Sequence, residues 1–383
     1  EEHKQLQYSI HIQGYSCLTR SEQLLAFGTV DGVDDHSRSQ SLTIQYSTLY
    51  FEYQLRAKDK YTGIMLGLGL IKDSVTTSVY HLKHGNVNWP MLIYIALVHI
   101  AGFYGLMLIT SSQWQTLLWA FILWPISGFG ITGGVHRLWS HRSYKANFIF
   151  RFFTMLANSI ANQGSIYHWA RDHRVHHKHS ETDADPHNAT RGFFFAHMGW
   201  LLVKKHPDVV KAGRELDFSD LDADWTVMFQ KKLDPWFTLF MCFVFPALVG
   251  TYGWGEDFWT GFYVAGAVRY IYVLHVTWLV NSAAHLYGDH PYDPQSWPAE
   301  NPFVSLGALG EGWHNWHHKY PFDYSASEFG ASSQFNPTKM IIDLAAACGM
   351  VTDRKRANGA WGKLKEKRDR EEPELSKDSK KLN

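Results

Sequence analysis

The sequence has few cysteines and no net charge, and both features exclude classes of protein. Its three cysteines, Cys17, Cys242 and Cys348, are widely separated among 383 residues, which excludes a disulfide framework and a Cys-x-x-Cys motif. Basic and acidic residues balance at 36 each, and we expect no nucleic-acid partner. No glycine-rich motif opens a helix after a strand, so NAD(P)H is not expected to bind directly.

Charge is also absent from most of four long apolar segments, although the mean hydropathy of the whole chain is slightly negative at -0.24. Each segment has about 20 residues, enough to cross ~30 Å of hydrocarbon, and short links join them into two hairpins. Arg269 interrupts the last segment and needs a polar partner at that depth. The predicted spanning helices cover residues 91–110, 114–135, 235–254 and 258–280.

The distribution of basic residues predicts how these helices are oriented. Residues 136–234, between the two hairpins, contain 14 lysines and arginines, whereas the two short links contain none. The positive-inside rule therefore places this region and both chain termini in the cytosol.

Histidine is the conspicuous polar residue, with 22 copies in the chain. Nine of them lie in three clusters and at one single position, mostly at spacings that share a helix face: His136, His141, His173, His176, His177, His285, His314, His317 and His318. His136 and His141 are five residues apart, about 140° around an α-helix, so we expect them to straddle a site or to bind different metals. Nine imidazoles exceed the ligands of one ion, which predicts a two-metal site.

The eight other histidines from residue 99 onward are expected to lie around that site or on the surface. They are His99, His168, His179, His187, His197, His206, His275 and His290.

The clusters lie beyond the predicted cytosolic ends of the spanning helices, and this position favours a lipid substrate. We therefore predict an all-α membrane protein with four transmembrane helices in two hairpins and a cytosolic helical cap that holds a histidine-rich di-metal site. A metal transporter or store is disfavoured, because its ligands would lie within the spanning helices.

Four long motifs carry a family resemblance. They are HRLWSH from residue 136, WARDHRVHHKHSETDADPHN from 169, TWLVNSAAHLYG from 277 and GEGWHNWHHKYPFDYSASE from 310. From about residue 88 to residue 356 the chain resembles the membrane acyl-CoA Δ9 desaturases, also called stearoyl-CoA desaturases.

The resemblance implies a multi-pass enzyme of the endoplasmic reticulum with a cytosolic active site. Such enzymes insert a cis double bond into saturated fatty acyl-CoA, with O2 as co-substrate and with electrons from cytochrome b5 and its NADH-dependent reductase. It makes the nine histidines ligands of two iron ions (Fe2+) and assigns Asn281 to one metal through water. Iron agrees with the chemistry, because removing hydrogen from an unactivated methylene requires a redox-active metal, which zinc is not.

The resemblance also implies substrate contacts. The CoA headgroup is expected at Arg171, Asp172, Lys204 and Lys205, and the acyl tunnel at Thr277 and Trp278 near its bend, with Trp124 closing the far end. We expect Trp124 to shorten the tunnel and to favour C16 chains. Met91 and Gly164 stand where the family has asparagine, which leaves the acyl carrier open. A desaturase of other regiochemistry, such as Δ11, and a fatty acyl hydroxylase remain alternatives.

Acidic residues near the clusters are candidates for accepting imidazole N–H groups. These candidates are Asp172, Glu181, Asp183, Asp185, Glu311 and Asp323.

The chain ends are less informative than the middle. We expect residues 1–85 to be a loosely ordered cytosolic extension, 86–353 the desaturase domain, and 354–383 a charged tail with a helix followed by disorder. The tail ends in Lys380-Lys381-Leu382-Asn383, the form of a dilysine signal for retrieval to the endoplasmic reticulum.

Overall fold

Four long apolar helices dominate the computed structural model, which describes residues 79–330 and 332–367. Within these residues, four helices are long and apolar enough to cross a membrane: Trp89–Leu108, Trp114–Ser140, Trp236–Trp254 and Phe258–Leu286. We call them the first to fourth spans. The predicted all-α membrane fold with four spans is confirmed.

The second and fourth spans continue beyond the predicted ends at residues 135 and 280. His136 and His285 therefore lie in the last turns of these helices, and the expectation that both follow the helices is wrong. The apolar pattern stops earlier than the helix does, because the last turns are buried against protein instead of lipid.

The spans and the shorter helices follow one another with few strands between them. In chain order the α-helices are α1 Trp89–Leu108, α2 Trp114–Phe129, α3 Phe148–Ala161, α4 Ile166–His179, α5 Trp200–Leu202, α6 Pro207–Arg214, α7 Ser219–Asp222, α8 Trp225–Leu233, α9 Trp236–Leu239, α10 Phe245–Trp254, α11 Phe258–Gly261, α12 Arg269–Leu286, α13 Pro302–Gly307, α14 His314–Lys319 and α15 Pro337–Ala347. Strands β1 Lys145–Ala146 and β2 Val351–Thr352 pair antiparallel.

Three of the spans contain a π-helical stretch, and a fourth stretch precedes α5. These stretches are Gly130–Ser140, Phe195–Gly199, Phe240–Val244 and Phe262–Val268. Gly130 starts the longest one at a close contact with α3, where a Cβ atom would lie 2.2 Å from the backbone nitrogen of Asn158. The absence of a side chain there lets α3 pack directly against the end of the second span.

Arg269 finds its polar partners in the backbone. Its guanidinium donates to the carbonyl oxygens of Ile160 at 2.9 Å and Cys242 at 2.7 Å. A third bond runs to the carbonyl of Ala265 at 3.2 Å. Helix ends and π-helical stretches leave carbonyls without regular α-helical partners, and all three acceptors lie in such places. The buried charge at 3 % exposure is therefore satisfied by the fold itself.

The ends of the described chain are helical. Residues 79–83, before the first span, and residues 358–367, after β2, are helical. Most of the predicted N-terminal extension, the end of the tail with Lys380 and Lys381, and Cys17 lie outside the described residues.

Candidate metal centre

The nine predicted histidines converge from four helical segments. The end of the second span provides His136 and His141, α4 provides three, the end of the fourth span provides His285, and α14 provides three. Arg174 ties α4 to the second span by donating to the carbonyl oxygens of Ser140 at 3.0 Å and Trp139 at 2.7 Å. The centre is thus assembled by contacts among helix ends.

The histidines divide into two groups, in each of which the ligand nitrogens lie within 4.8 Å of one another. The five-histidine group consists of His136, His141, His173, His177 and His317. The four-histidine group consists of His176, His285, His314 and His318. The groups are adjacent, since the rings of His177 and His318 stack at 4.2 Å between centroids.

The spacing of the Nε2 atoms matches the geometry of metal ligands. In the five-histidine group, Nε2 of His317 lies 2.9 Å from that of His136 and 3.0 Å from that of His177. In the four-histidine group, Nε2 of His314 lies 3.0 Å from that of His285 and 3.1 Å from that of His318. Nitrogens held ~2.1 Å from one ion are ~3.0 Å apart along the edge of an octahedron. Each group is therefore compact enough to surround one ion.

His136 and His141 belong to the same group, which rules out the alternative that they bind different metals and keeps the one in which both flank one site. The prediction for this pair used α-helical geometry. The helix over this segment is π-helical, and the backbone nitrogen of His141 donates to the carbonyl of His136 at 3.1 Å. An i to i+5 bond closes one turn between the two residues, so their side chains lie on one face.

Three carboxylates fix the orientation of three of the imidazoles. Nδ1 of His136 lies 2.9 Å from Glu311, and Nδ1 of His176 lies 2.9 Å from Asp185. Nδ1 of His285 lies 2.6 Å from Glu181 in the same way. An ionised carboxylate only accepts hydrogen bonds, so each Nδ1 carries the proton and each Nε2 presents its lone pair to the centre.

The other three acidic candidates have different partners, and the prediction for them is wrong. Asp172 pairs with Arg171 at 3.0 Å and with Lys205. Asp323 pairs with Arg356 at 3.2 Å, and Asp183 is exposed. Proximity in sequence to a histidine cluster did not separate the two kinds of carboxylate.

Arg137 keeps Glu311 in its accepting form. Its guanidinium, 1 % exposed, donates to Glu311 at 2.7 and 3.0 Å. Burial opposes ionisation of Glu311, but the charge of Arg137 and the contacts of Arg137 and His136 together outweigh it and lower the pKa of this carboxyl below its usual value. Glu311 is therefore ionised at neutral pH, as an acceptor for His136 requires.

The imidazoles on α4 and α14 are neutral. Burial lowers the pKa of His173, His177 and His314 well below the ordinary value for histidine, and that of His176 to about 3. Neutral imidazole is the form that binds a metal. The described residues thus fit two transition-metal ions in charge state, tautomer and spacing.

Two cavities meet at the histidine groups. A wide cavity of about 570 Å³ and a narrow one of about 50 Å³ share lining residues Trp169, His173, Thr277 and Asn281. The narrow cavity continues between the second and fourth spans, where Trp124 contributes to its wall. The two cavities adjoin at the four residues they share, beside the histidine nitrogens; we call the two cavities together the bent passage, and the shared residues its bend.

The predicted headgroup residues do not all reach this passage. Arg171, Asp172 and Lys205 line the wide cavity, as do Met91 and Gly164. Lys204 does not line this cavity, and its ammonium donates to the carbonyl of Gly85 at 3.0 Å. Of the two adjacent lysines, only the second faces the cavity.

The predicted tunnel residues lie along the passage. Thr277 is on the wall at the junction, Trp278 lines the wide cavity, and Trp124 lines the narrow one, where its ring meets Tyr272 edge-on at 5.2 Å. Asn281 is one turn before His285 on the same helix and lines both cavities.

Two residues at the junction were missed by the sequence analysis. Gln163 donates to Thr277 at 2.9 Å, and Trp169 stacks on His173 at 4.8 Å. Trp169 had a detectable signal, since it precedes His173 by four residues and so shares its helix face. Gln163 had none, because it lies in the loop between α3 and α4.

Comparisons with known proteins agree with this geometry. The fatty acid desaturase family model matches residues 112–328. Stearoyl-CoA desaturase 5 of Bos taurus is 54% identical over 272 residues, which cover 71% of this chain and 81% of the relative. Stearoyl-CoA desaturase of Homo sapiens is 50% identical over 295 residues, covering 76% and 82%. Acyl-CoA desaturase 3 of Mus musculus is 54% identical over 272 residues, covering 71% and 75%.

Proposed function

Since this chain belongs to the fatty acid desaturase family, we propose that it is an acyl-CoA Δ9 desaturase, an oxidoreductase that inserts a cis double bond into palmitoyl- or stearoyl-CoA. The proposal includes two iron ions and O2, with electrons from cytochrome b5 and its NADH-dependent reductase. In the net reaction, two hydrogens leave the acyl chain, and with two electrons and two protons they reduce O2 to two waters.

The observation that carries the proposal is the meeting of the bent passage with both histidine groups. His136 and His173 line the narrow cavity together with apolar residues of the fourth span, among them Val273 and Val276. An extended acyl chain in this passage would pass beside the nitrogens at the bend. Iron bound there would supply the oxidising chemistry that no side chain provides.

The residues of the chain would bind and orient the substrate. Lys205 and Arg171 support a headgroup site, because their charges stand at the rim of the wide cavity while Asp172 holds both in place. Thr277, Gln163 and Trp169 would hold the acyl chain at the bend. A fixed bend brings one pair of methylenes to the reacting position, which is how positioning sets regiochemistry.

We propose the ten predicted ligands as the iron site. The five-histidine group would hold one ion. The four-histidine group has one ligand fewer, and Asn281, one turn from His285 and on the cavity wall, would complete it through a water molecule. Glu181, Asp185 and Glu311 would hold three of the imidazoles in the ligating tautomer.

The proposed location is the endoplasmic reticulum membrane, with the histidine groups and both termini on the cytosolic side. The uneven distribution of lysine and arginine around the spans supports it. Protease protection of tagged termini in microsomes tests the orientation.

Expression in a yeast strain that lacks its own Δ9 desaturase tests the activity. We expect growth without added unsaturated fatty acid and, on mapping of the double bonds by mass spectrometry, cis-Δ9 C16 and C18 products. A hydroxylated product would identify a hydroxylase, and a bond at Δ11 would identify a different regiochemistry. No product from folded protein in the presence of cytochrome b5 would reject the proposal.

A further inference from the structure

Three histidines outside the candidate metal centre form a chain of contacts between the first and fourth spans. Nε2 of His99 lies 3.1 Å from Nε2 of His275, and Nδ1 of His275 lies 2.9 Å from Nε2 of His197. Nδ1 of His197 lies 3.0 Å from the hydroxyl of Ser282. The chain joins α1, α12 and the π-helical stretch before α5.

This arrangement is a hydrogen-bonded chain and not a third metal site. His275 contacts its two neighbours through different nitrogens, Nε2 toward His99 and Nδ1 toward His197. A chelating imidazole instead turns one nitrogen toward a shared ion, as the nine histidines of the metal centre do.

One contact determines the tautomer of His99 at the start of the chain. Nδ1 of His99 lies 2.6 Å from the carbonyl oxygen of Ile95, which only accepts, so this Nδ1 carries the proton. Nε2 of His99 then accepts from Nε2 of His275. At the other end of the chain, the Ser282 hydroxyl contacts Nδ1 of His197 at 3.0 Å and donates to the carbonyl oxygen of Trp278 at 2.9 Å.

The chain surrounds Trp278. The Trp278 ring meets His275 edge-on at 5.2 Å and His197 edge-on at 5.7 Å, and it stacks with His99 at 6.5 Å. Trp278 is 3 % exposed and lines the wide cavity three residues before Asn281. The three imidazoles thus fix the position of a wall of the passage between the headgroup rim and the bend.

We propose that the His99–His275–His197 chain is a positioning device that holds Trp278 and thereby sets the register of the acyl chain at the metal centre. The inference rests on the proposed acyl-CoA desaturation. The position of the double bond is numbered from the thioester carbon. The number of acyl carbons between the headgroup rim and the bend therefore selects the carbon that reacts. If the wall at Trp278 moves, a different number of acyl carbons fits between the headgroup rim and the bend. A neighbouring methylene pair then reaches the reacting position.

The position of the double bond tests this role, because a loss of folded enzyme lowers the yield without moving the bond. His275→Ala is expected to raise the ratio of displaced to Δ9 double bonds about 10-fold, since small misplacements change which bond reacts. His275→Gln has one donor and one acceptor and is expected to restore the wild-type ratio. His84→Ala removes an exposed histidine at the start of the described chain and serves as the matched control.

His197→Phe separates hydrogen bonding from packing. It keeps a ring between Trp278 and Phe193, which stacks on His197 at 5.3 Å, but it removes both hydrogen bonds. We expect displaced double bonds from this variant as well. Only Δ9 products from both His275→Ala and His197→Phe, at the wild-type ratio, would overturn the inference.

A second measurement does not depend on activity. The chain is labelled with fluorotryptophan, and the 19F signal of Trp278, one of 16 tryptophans, is assigned with Trp278→Phe. A sharp signal in the wild type that broadens in His275→Ala and sharpens again in His275→Gln supports the positioning role. An unchanged signal in His275→Ala rejects it. An inactive wild type would reject the proposed function alone, because the 19F signal still decides the inference.

Discussion

Twelve histidines of this chain form two sets, and the imidazole nitrogens have different contacts in each set. Nine at the ends of the second and fourth spans and on α4 and α14 turn one nitrogen each toward a common centre. Three between the first and fourth spans bond in series, with both nitrogens of His275 engaged by other histidines. Both sets are buried or half-buried, so burial alone does not distinguish a ligand from a structural histidine.

The nine histidines, which we call the convergent set, and the other three, which we call the series set, differ in the groups that contact Nδ1. In the convergent set, Glu311, Asp185 and Glu181 accept from Nδ1, and the Nε2 lone pairs remain available. In the series set, a backbone carbonyl accepts from His99, the three imidazoles contact one another, and Ser282 contacts Nδ1 of His197. A carboxylate within 2.9 Å of Nδ1 thus accompanies His136, His176 and His285, whereas the histidines of the series set have other imidazoles, a carbonyl or a hydroxyl as partners.

Removing a ligand from either group is the most severe test of the comparison. His173→Ala and His318→Ala are each expected to lower desaturation by ~100-fold or more and to lower the metal content by about one ion. Desaturase assays and elemental analysis of purified protein measure both effects. Full activity with unchanged metal in either variant would remove that group from the site.

Removing a carboxylate is expected to have the next largest effect. Asp185→Asn and Glu311→Gln each keep the size of the side chain but weaken the acceptor for Nδ1, so metal affinity is expected to fall ~10–100-fold. Competition with a chelator measures the affinity. Asp183→Asn is the matched control, because Asp183 is exposed and its substitution is expected to change nothing. Equal metal affinities in all three variants would show that Asp185 and Glu311 do not support the ligands they contact.

A substitution in the wall of the narrow cavity is expected to have a smaller effect, measured as the preference between two substrates. Trp124→Ala opens the wall between the second and fourth spans, and the preference for stearoyl- over palmitoyl-CoA is expected to rise about 10-fold. Competition between the two substrates measures the ratio. A ratio that does not change would place the end of the acyl chain elsewhere.

Substitution of the two adjacent lysines is expected to have the smallest effect, which is on KM for acyl-CoA. Lys205→Ala is expected to raise KM for acyl-CoA about 2- to 5-fold, since a charge at a solvated rim contributes little. Lys204→Ala is expected to leave KM unchanged, because Lys204 does not line the wide cavity and its ammonium bonds to the carbonyl of Gly85. A larger increase in KM from Lys204→Ala than from Lys205→Ala would show that the CoA headgroup lies on the side of Lys204.

The sequence predicted the four spans and the convergence of the nine histidines, because hydrophobic length and helix-face spacing are local properties. The π-helical end of the second span was not predicted. The π-helical stretch begins at Gly130, whose backbone contacts Asn158 28 residues away, and no local pattern marks such a contact. The turn that brings His136 and His141 onto one face was therefore not predicted.

The roles of the carboxylates and of the second histidine set also depend on tertiary contacts. Glu181 and His285 meet across 104 residues, and His99 and His275 meet across 176. No spacing rule identifies such pairs, so Asp172 and Asp183 looked as suitable as Asp185, and His99 looked like an ordinary histidine. Gln163 was missed because its contact with Thr277 spans 114 residues.

Iron analysis of the purified protein tests the contrast between the two histidine sets most directly. The wild type and a His99→Ala/His275→Ala double variant are both expected to contain two irons per chain, while His173→Ala/His318→Ala is expected to retain less than one. A wild type with a single ion, or loss of iron from the His99→Ala/His275→Ala variant, would contradict the division of the histidines into ligands and positioning residues.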